Sequence, residues 1–553
     1  MHRAHERLAA RDELGRVLTP ARPFGPIATE DVAGIGRSTV DQLFDRNNRI
    51  YSQAVSDLFP AYIIGRKGAG KTAFLISSDT DREVWRAAID TEKVYHEMLN
   101  VLNAYRGDGL FVGQRAEIWT ALFDHVAMFH AWRFFDGHDP EGKLNVLGTY
   151  LGRAADPAAD ASQVAERFLR QVRERVHERP GTGPTEILEG MGQDKARFAD
   201  ARAAMRDLLT DRGQPLVIVM DNLEELHLRL RELTPVLAGL FRAVGGIMAR
   251  SPSDRPYGVQ ICLPSELFDQ IHRIAAAADK DMQGGYLKIY WSARELLRLA
   301  GTRLHLFLRT RHPDEYDRLA RAADRVDEPE PDIALLRAAL PTNFRSGLGI
   351  PEDPVAYLLR HTQLLPRHLI HILNSVFSRH DRGSTPWQVT PAAILAGTRH
   401  AEHLLVTSIL AAYQASYPLA GEALRRLTGR LDICFPACEL HKVYNRQGIR
   451  KVSGMDFDEF LSMLFSLGVL GIRFGQTGRY NKAHFQYTFD YELGAQEEHD
   501  HLCVHPLFTR YLLERSLPQL RKAQAHATYP YGCDPQGEDY RTAFGYTVPP
   551  PRN

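Results

Sequence analysis

The sequence predicts an α/β protein: a parallel sheet covered by helices, then a helical region, then a smaller mixed unit toward the C-terminus. Three observations predict it. Residues 65–72 read Gly-Arg-Lys-Gly-Ala-Gly-Lys-Thr, between the apolar run Tyr62-Ile63-Ile64 and the apolar stretch Ala73-Phe74-Leu75-Ile76, which is a strand–loop–helix order. Leu216-Val217-Ile218-Val219-Met220 is a continuous apolar run ending in Asp221, as a strand buried on both faces of a parallel sheet should be. Strand-like and helix-like segments then alternate to Tyr290, which parallel crossovers require.

At 553 residues the chain is too long for one core, and about three or four domains are expected. Apolar residues make up 44% and charged residues 25%, the composition of an ordinary globular protein. Lys+Arg and Asp+Glu balance at 68 each, so no global field favours nucleic acid or an anionic membrane. Five cysteines do not make a disulfide framework, and a reducing cytoplasm is expected. Residues 1–30 mix charges and prolines without an apolar core, and no run is long enough to span a membrane.

In chain order, residues 1–39 are expected to be a leader, loosely ordered over 1–25. The apolar spacing of Leu43, Phe44, Ile50, Ala54, Val55 and Leu58 predicts bracing helices. The sheet core is assigned to 40–290, with a second strand over Val84–Ile89 and a helix whose stripe is Ile118, Leu122, Val126, Phe129 and Trp132. Gly and Pro clusters around a charged stretch mark 136–200 as a helical insertion. Val259–Leu263 and Tyr286–Tyr290 are the expected later strands. Residues 291–390 read as helical throughout, 391–520 as a third unit, and 521–553 as a disordered tail rich in proline.

The loop's chemistry explains its residue types. Gly65, Gly68 and Gly70 let the backbone turn successive N–H groups toward phosphate oxygens, together with Arg66, Lys67, Ala69 and Ala73 around them. Lys71 is placed to reach the β- and γ-phosphates, and the Thr72 hydroxyl to ligate Mg²⁺. A bare glycine turn needs neither that lysine nor that hydroxyl, so the pattern predicts nucleoside triphosphate binding. Asp221, at a strand end well downstream, is the expected second Mg²⁺ residue, acting through water. Its other reading is a helix cap. Water activation is assigned to Glu224 or Glu225. Ser265, after the fourth strand, is a weaker polar candidate beside its reading as an N-cap. Arg367 follows Pro366 at the start of a helix, and Arg66 and Arg303 are further cations.

The loop, Asp221-Asn222-Leu223-Glu224-Glu225, Lys288-Ile289-Tyr290-Trp291 and Leu365-Pro366-Arg367-His368-Leu369-Ile370 together resemble bacterial P-loop ATPases near the AAA+/STAND boundary, similar to origin-recognition-type and KAP-type members. The likeness covers roughly residues 40–515. It implies a P-loop NTPase core, a helical lid over 291–390 and a C-terminal winged helix. It implies ATP with Mg²⁺, Arg367 as a sensor-two arginine on the γ-phosphate, oligomerisation or a protein partner, and a role in DNA transactions or phage defence. Asn222 stands where many AAA+ enzymes carry glutamate, and Pro264 interrupts the expected sensor. The alternative is a nucleotide-gated scaffold with little turnover that recruits partners through its winged helix.

In the C-terminal unit, Phe435–Arg446 and Asp456–Leu467 are expected helices, followed by Ile472-Arg473-Phe474, a loop at Gly475–Asn481, a return strand His484–Phe489 and a short strand over Leu502–Leu507. Arg446, Arg450, Lys451, Arg473, Arg479 and Lys482 would contact DNA phosphates or lie as solvated surface beside Asp456, Asp458 and Glu459. Cys434, Cys438 and His441 have helical spacing, and His499, His501, Cys503 and His505 alternate along a strand. No Cys-x-x-Cys pair accompanies them, and small buried hydrophobes are the ordinary reading of such cysteines.

Overall fold

The computed structural model describes residues 13–27, 39, 42–43, 60–77, 85–105, 110–135, 139, 141–152, 156–190, 195–212, 216–221, 230–250, 255–267, 285–378, 387, 389–486 and 500–533. The chain divides into two compact units. One comprises Met1–Asn48, Gly68–Ala73 and Tyr290–Asn553, the other Arg49–Lys67 and Phe74–Ile289.

The second unit is the α/β one. Its sheet holds β1 (Tyr62–Gly65), β2 (Trp85–Asp90), β3 (Leu216–Asp221), β4 (Tyr257–Pro264) and β5 (Tyr286–Lys288) in the order β2-β3-β4-β1-β5. Every pairing is parallel. β1 and β3 are apolar runs up to their last residues, as strands covered on both faces are, whereas β4 also buries Gln260. Neighbouring β1 and β4 send their connections to opposite edges, β1 toward β2 and β4 toward β5. Such a reversal of strand order is the switch point at whose carboxyl ends parallel sheets take ligands.

The helix Val112–Phe134 is buried along most of its length, and its Trp119 indole donates to the Val236 carbonyl at 3.1 Å. The insertion packs against this unit: Ala161–Glu178 lies on Thr91–Ala104, on Val112–Phe134 and on β2. One buried acid ties down the helix Lys195–Arg212, which runs on past the insertion's expected end. Asp124 accepts from the Tyr257 hydroxyl at 2.8 Å and pairs with Arg202 at 3.1 Å, while burial pushes its carboxyl above the usual range.

The first unit is helical, then mixed. Pro366–Phe377 and Pro391–Ala412 cross so closely that a Cβ at Gly397 would come within 2.6 Å of the Val376 Cα. Residues 13–27 are docked here. Phe24 is fully buried, meets Phe377 edge-on and bonds Asn374 through its N–H. The expectation of a loose leader over 1–25 is corrected for those residues: burying Phe24 and filling the Asn374 amide fixes them.

The C-terminal sheet has β6 (Cys434–Pro436), β7 (Leu470–Thr477), β8 (Tyr480–His484), β9 (His501–Val504) and β10 (Ala527–Pro530) in the order β10-β8-β7-β9-β6. Ala437–Arg446, Ile449–Ser453 and Phe457–Ser466 are its helices. Asp456 caps the last of these, accepting from the Glu459 N–H, while Glu459 accepts from the Asp456 N–H.

Four sequence readings shift here. The helix expected from Phe435 starts at Ala437 because Pro436 cannot sit inside a helix. The loop expected over Gly475–Asn481 is a tight turn at Gly478, which has φ +56°. Gly475 marks a bulge in β7 rather than a turn. The return strand is therefore Tyr480–His484, and residues 487–489 lie outside the described residues. The tail begins later than expected, because Ala527–Pro530 pairs with β8 as an edge strand and Cys533 is buried.

Residues expected as lid and as winged helix belong to one unit, joined by a buried polar network. Arg360 donates twice to Glu352, at 2.9 and 3.1 Å, and the Tyr480 hydroxyl reaches Glu352 at 3.2 Å. Beside it, His361 Nδ1 lies 2.7 Å from Glu402 Oε1, and Arg510 lies 3.7 Å from Glu402 Oε2. Burial pushes the Glu402 carboxyl up to about 8 despite Arg510 and Arg360. Burial, then Arg360, holds the His361 imidazole well below its ordinary range. The two shifts agree on a pair that is uncharged below about 8, a protonated carboxyl beside a neutral imidazole.

The pH dependence follows. From 4.5 to about 8 the native Glu402 keeps a proton that the unfolded chain releases, so stability falls as pH rises. Below 6.5 the unfolded chain protonates His361 and the native chain does not, so stability rises with pH. The slopes oppose at acid pH, and between 6.5 and about 8 only the Glu402 loss acts, at up to about 1.4 kcal/mol per pH unit. Denaturant titrations should show that decline in the wild type and a flatter profile in Glu402→Gln.

Candidate functional site

The loop that leaves β1 reverses the chain sharply. Gly68 and Gly70 have φ +86° and +94°, a region only glycine enters without strain. The helix Lys71–Ser77 begins directly after it. Lys71 is buried. Arg66, Lys67, Gly68 and Gly70 are half-buried, whereas Gly65 and Ala69 are covered. Thr72 and Ala73 sit in the first turn of the helix, where backbone N–H groups have no intrahelical partner.

In the first unit, two bonds hold the loop's carbonyls. The Trp291 indole donates to the Ala69 carbonyl at 2.8 Å. The Arg367 N–H donates to the Gly68 carbonyl at 3.4 Å, a long and weak bond. Arg367 sits in the first turn of Pro366–Phe377. Its side chain lies on the bare face of Gly68: a Cβ there would fall 2.7 Å from Arg367 Cβ, 2.9 Å from Cδ and 3.2 Å from Nε. Arg367 Nε is buried and has no hydrogen-bond partner among the described residues.

In the second unit, Gly65 and Pro264 are register partners at the carboxyl ends of β1 and β4. Just beyond, the Lys67 N–H donates to Glu266 Oε1 at 2.7 Å. Asp221 closes β3 beside Asp90, which closes β2. Asp90 caps the next helix by accepting from the Glu92 N–H at 3.1 Å. The Asp221 carbonyl accepts from the Thr91 hydroxyl at 2.6 Å. Asp221 thus lies on the same carboxyl edge of the sheet as the start of the loop.

Glu224 and Glu225, with Asn222 and Leu223, lie outside the described residues. Of the cations left unranked, Arg303 is committed elsewhere. It donates to the Phe24 carbonyl at 2.9 Å and the Leu43 carbonyl at 3.1 Å, and burial pushes its guanidinium down to about 10. Ser265 opens a short 3₁₀ turn, Ser265–Leu267, and its neighbour Glu266 makes the bond to the loop. Sequence reasoning missed Glu266 and Trp291 as loop partners. The signal for Glu266 was its place just after the strand beside β1, which only the strand order reveals.

The predicted basic set divides. Arg446, Arg450 and Lys451 are exposed. Arg473 is engaged with His501 Nδ1 at 3.0 Å, and Arg479 donates to the Ala525 carbonyl at 3.4 Å. Among the described residues no helix is long and apolar enough to cross a membrane, and no group of three or more His, Cys, Asp or Glu is placed to hold a metal ion. No protein-family model and no curated protein matches this chain.

Gly68→Ala tests the geometry. The added methyl meets both a positive φ and the Arg367 stem, so the variant should lose about 1–3 kcal/mol, read as a lowered denaturant midpoint at unchanged m-value.

Proposed function

We propose that this chain is a Mg²⁺-dependent, ATP-binding and hydrolysing switch ATPase of AAA+/STAND type, with a P-loop at Gly65–Thr72, a helical lid and a C-terminal winged helix. The observation that carries the reading is Arg367, seated on Gly68 with a buried Nε that finds no acceptor among the described residues. A buried N–H left unsatisfied is costly. A phosphate oxygen, like a carboxylate oxygen, is an acceptor that a guanidinium matches well.

The residues present fit such a group. Positive φ at Gly68 and Gly70 lets the loop turn its backbone N–H groups toward an anion. The start of the Lys71–Ser77 helix follows immediately, so its first amides and its dipole favour negative charge. Lys71 would neutralise the phosphate chain, and Arg367 would hold its terminal group from the lid side. Thr72 and Asp221 would hold Mg²⁺, Asp221 through water, and the bound ion would offset charge on the phosphate oxygens. Glu224 or Glu225 would orient the attacking water.

Partners are a homo-oligomer or another protein. Exposed Arg446, Arg450 and Lys451 support DNA contact, and a role in DNA transactions or phage defence rests on the family resemblance. The second reading, a nucleotide-gated scaffold with little turnover, is favoured by Glu266. Its carboxylate takes the Lys67 amide, where it would compete with phosphate.

Calorimetric titration of the full chain with ATP and Mg²⁺ should give saturable heat that Lys71→Ala abolishes. Absence of heat in the wild type overturns both readings. Arg367→Ala should still bind nucleotide but lose about 10²-fold in kcat. Hydrolysis that is lost in Glu224→Gln or Glu225→Gln supports the enzyme. Tight binding with negligible turnover that rises in Glu266→Ala supports the scaffold.

A further inference from the structure

The C-terminal sheet carries two cysteines that face one another across strands. β6 and β9 run antiparallel with Cys434 opposite Cys503, and Ile433 opposite Val504. The Val504 N–H donates to the Ile433 carbonyl at 2.8 Å, so that adjacent position is a hydrogen-bonded pair. The positions alternate along an antiparallel ladder, which makes Cys434 and Cys503 a non-hydrogen-bonded pair. In such a pair the Cα atoms stand about 4.5 Å apart, inside the range a disulfide spans.

The two sulfurs are not equivalent. β6 is an edge strand, and Cys434 is half-buried at its start. Cys503 is fully buried, packed with Ala483 and Phe485. Gly471 of β7 is the register partner of Cys503. Arg473, two residues further along β7, bonds His501, two residues before Cys503. Arg473, His501, Cys503 and Cys434 therefore share one sheet face. Both thiols are free.

We propose that Cys434 and Cys503 form a reversible redox-modification site: a peroxide oxidises Cys434, and Cys503 resolves it as a cross-strand disulfide.

The charges around the pair favour that order. The Cys503 thiol, and then the Arg473 guanidinium, hold the Cys434 thiol below the ordinary cysteine range against the opposing effect of burial. The same hydrogen bond and burial push Cys503 up, so it reacts second. Among the described residues the titratable and charged groups facing Cys434 are Cys503 and Arg473, with His501 held against Arg473. The Cys434 thiolate attacks the peroxide O–O bond and displaces hydroxide, giving a sulfenic acid. The Cys503 sulfur, releasing its proton, then attacks the Cys434 sulfur, and the displaced hydroxide leaves as water. Two thiols become one disulfide, and one hydrogen peroxide becomes two waters. This site stands independently of the nucleotide reading.

The test is hydrogen peroxide treatment of the full chain, alkylation of the remaining thiols, and mass spectrometry of proteolytic fragments. A Cys434–Cys503 cross-link that a thiol reductant reverses supports the proposal. Cross-linking should be lost in Cys434→Ser and retained in Cys438→Ser. Arg473→Gln should slow oxidation about tenfold near neutral pH and move the midpoint of its pH profile upward, because less thiolate is present. Three outcomes overturn the proposal: Cys434 over-oxidised without a cross-link, a bond from Cys434 to Cys438 instead, or a pH profile that Arg473→Gln does not move.

Discussion

A peptide group has two ends, and a loop that gathers its N–H groups on one side must present its carbonyls on the other. That constraint governs the turn after β1. Gly68 and Gly70 supply the positive φ values, and the carbonyls of Gly68 and Ala69 then need donors. Trp291 provides one with its indole, and Arg367 provides the other with its backbone N–H. Arg367 lies in the first turn of its helix, where that N–H has no intrahelical acceptor. Giving it to Gly68 therefore costs the helix nothing, and the same placement lays the guanidinium stem along the loop.

The parts legible in the sequence were those whose cause is local. The β1–loop–helix passage was legible because glycine spacing, an apolar strand and a following hydroxyl all lie within a dozen residues. β3 and its closing Asp221 were legible because the strand is apolar at every position before that aspartate. What stayed hidden depended on residues distant in the chain. Glu266 meets Lys67 only because β4 lies beside β1, although chain order alone would have separated them. Gly475 was misread because glycine serves equally at a turn and at a bulge, and only the cross-strand register tells them apart.

The first unit shows the same limit in polar form. Glu352, Arg360, His361, Glu402, Tyr480 and Arg510 come from five separate stretches, and each in isolation reads as a surface residue. Together they are buried or half-buried and hold helices to a strand of the C-terminal sheet. Bringing Glu402 and His361 inside as a neutral pair avoids the cost of desolvating two ions. It also makes cohesion of this unit respond to proton concentration in a way that an apolar contact would not.

Arginine is where pattern and structure diverge most usefully. Arg303 and Arg367 are both cations on helices after the α/β unit, and the sequence offers little to rank them. Their acceptors do. The Arg303 guanidinium holds the Phe24 and Leu43 carbonyls, which fix the N-terminal segment to the helix Ala293–Arg311. Its donors there are used by the fold, so losing it would loosen structure rather than weaken a ligand contact. The Arg367 Nε is buried but has no protein acceptor among the described residues, and it sits on a glycine whose missing Cβ makes room for it. A half-buried arginine on a glycine turn, with its Nε–H left over, is what the proposed anion contact draws on. The functional reading therefore rests on Arg367 and the loop beneath it, with Arg303 as support for the fold.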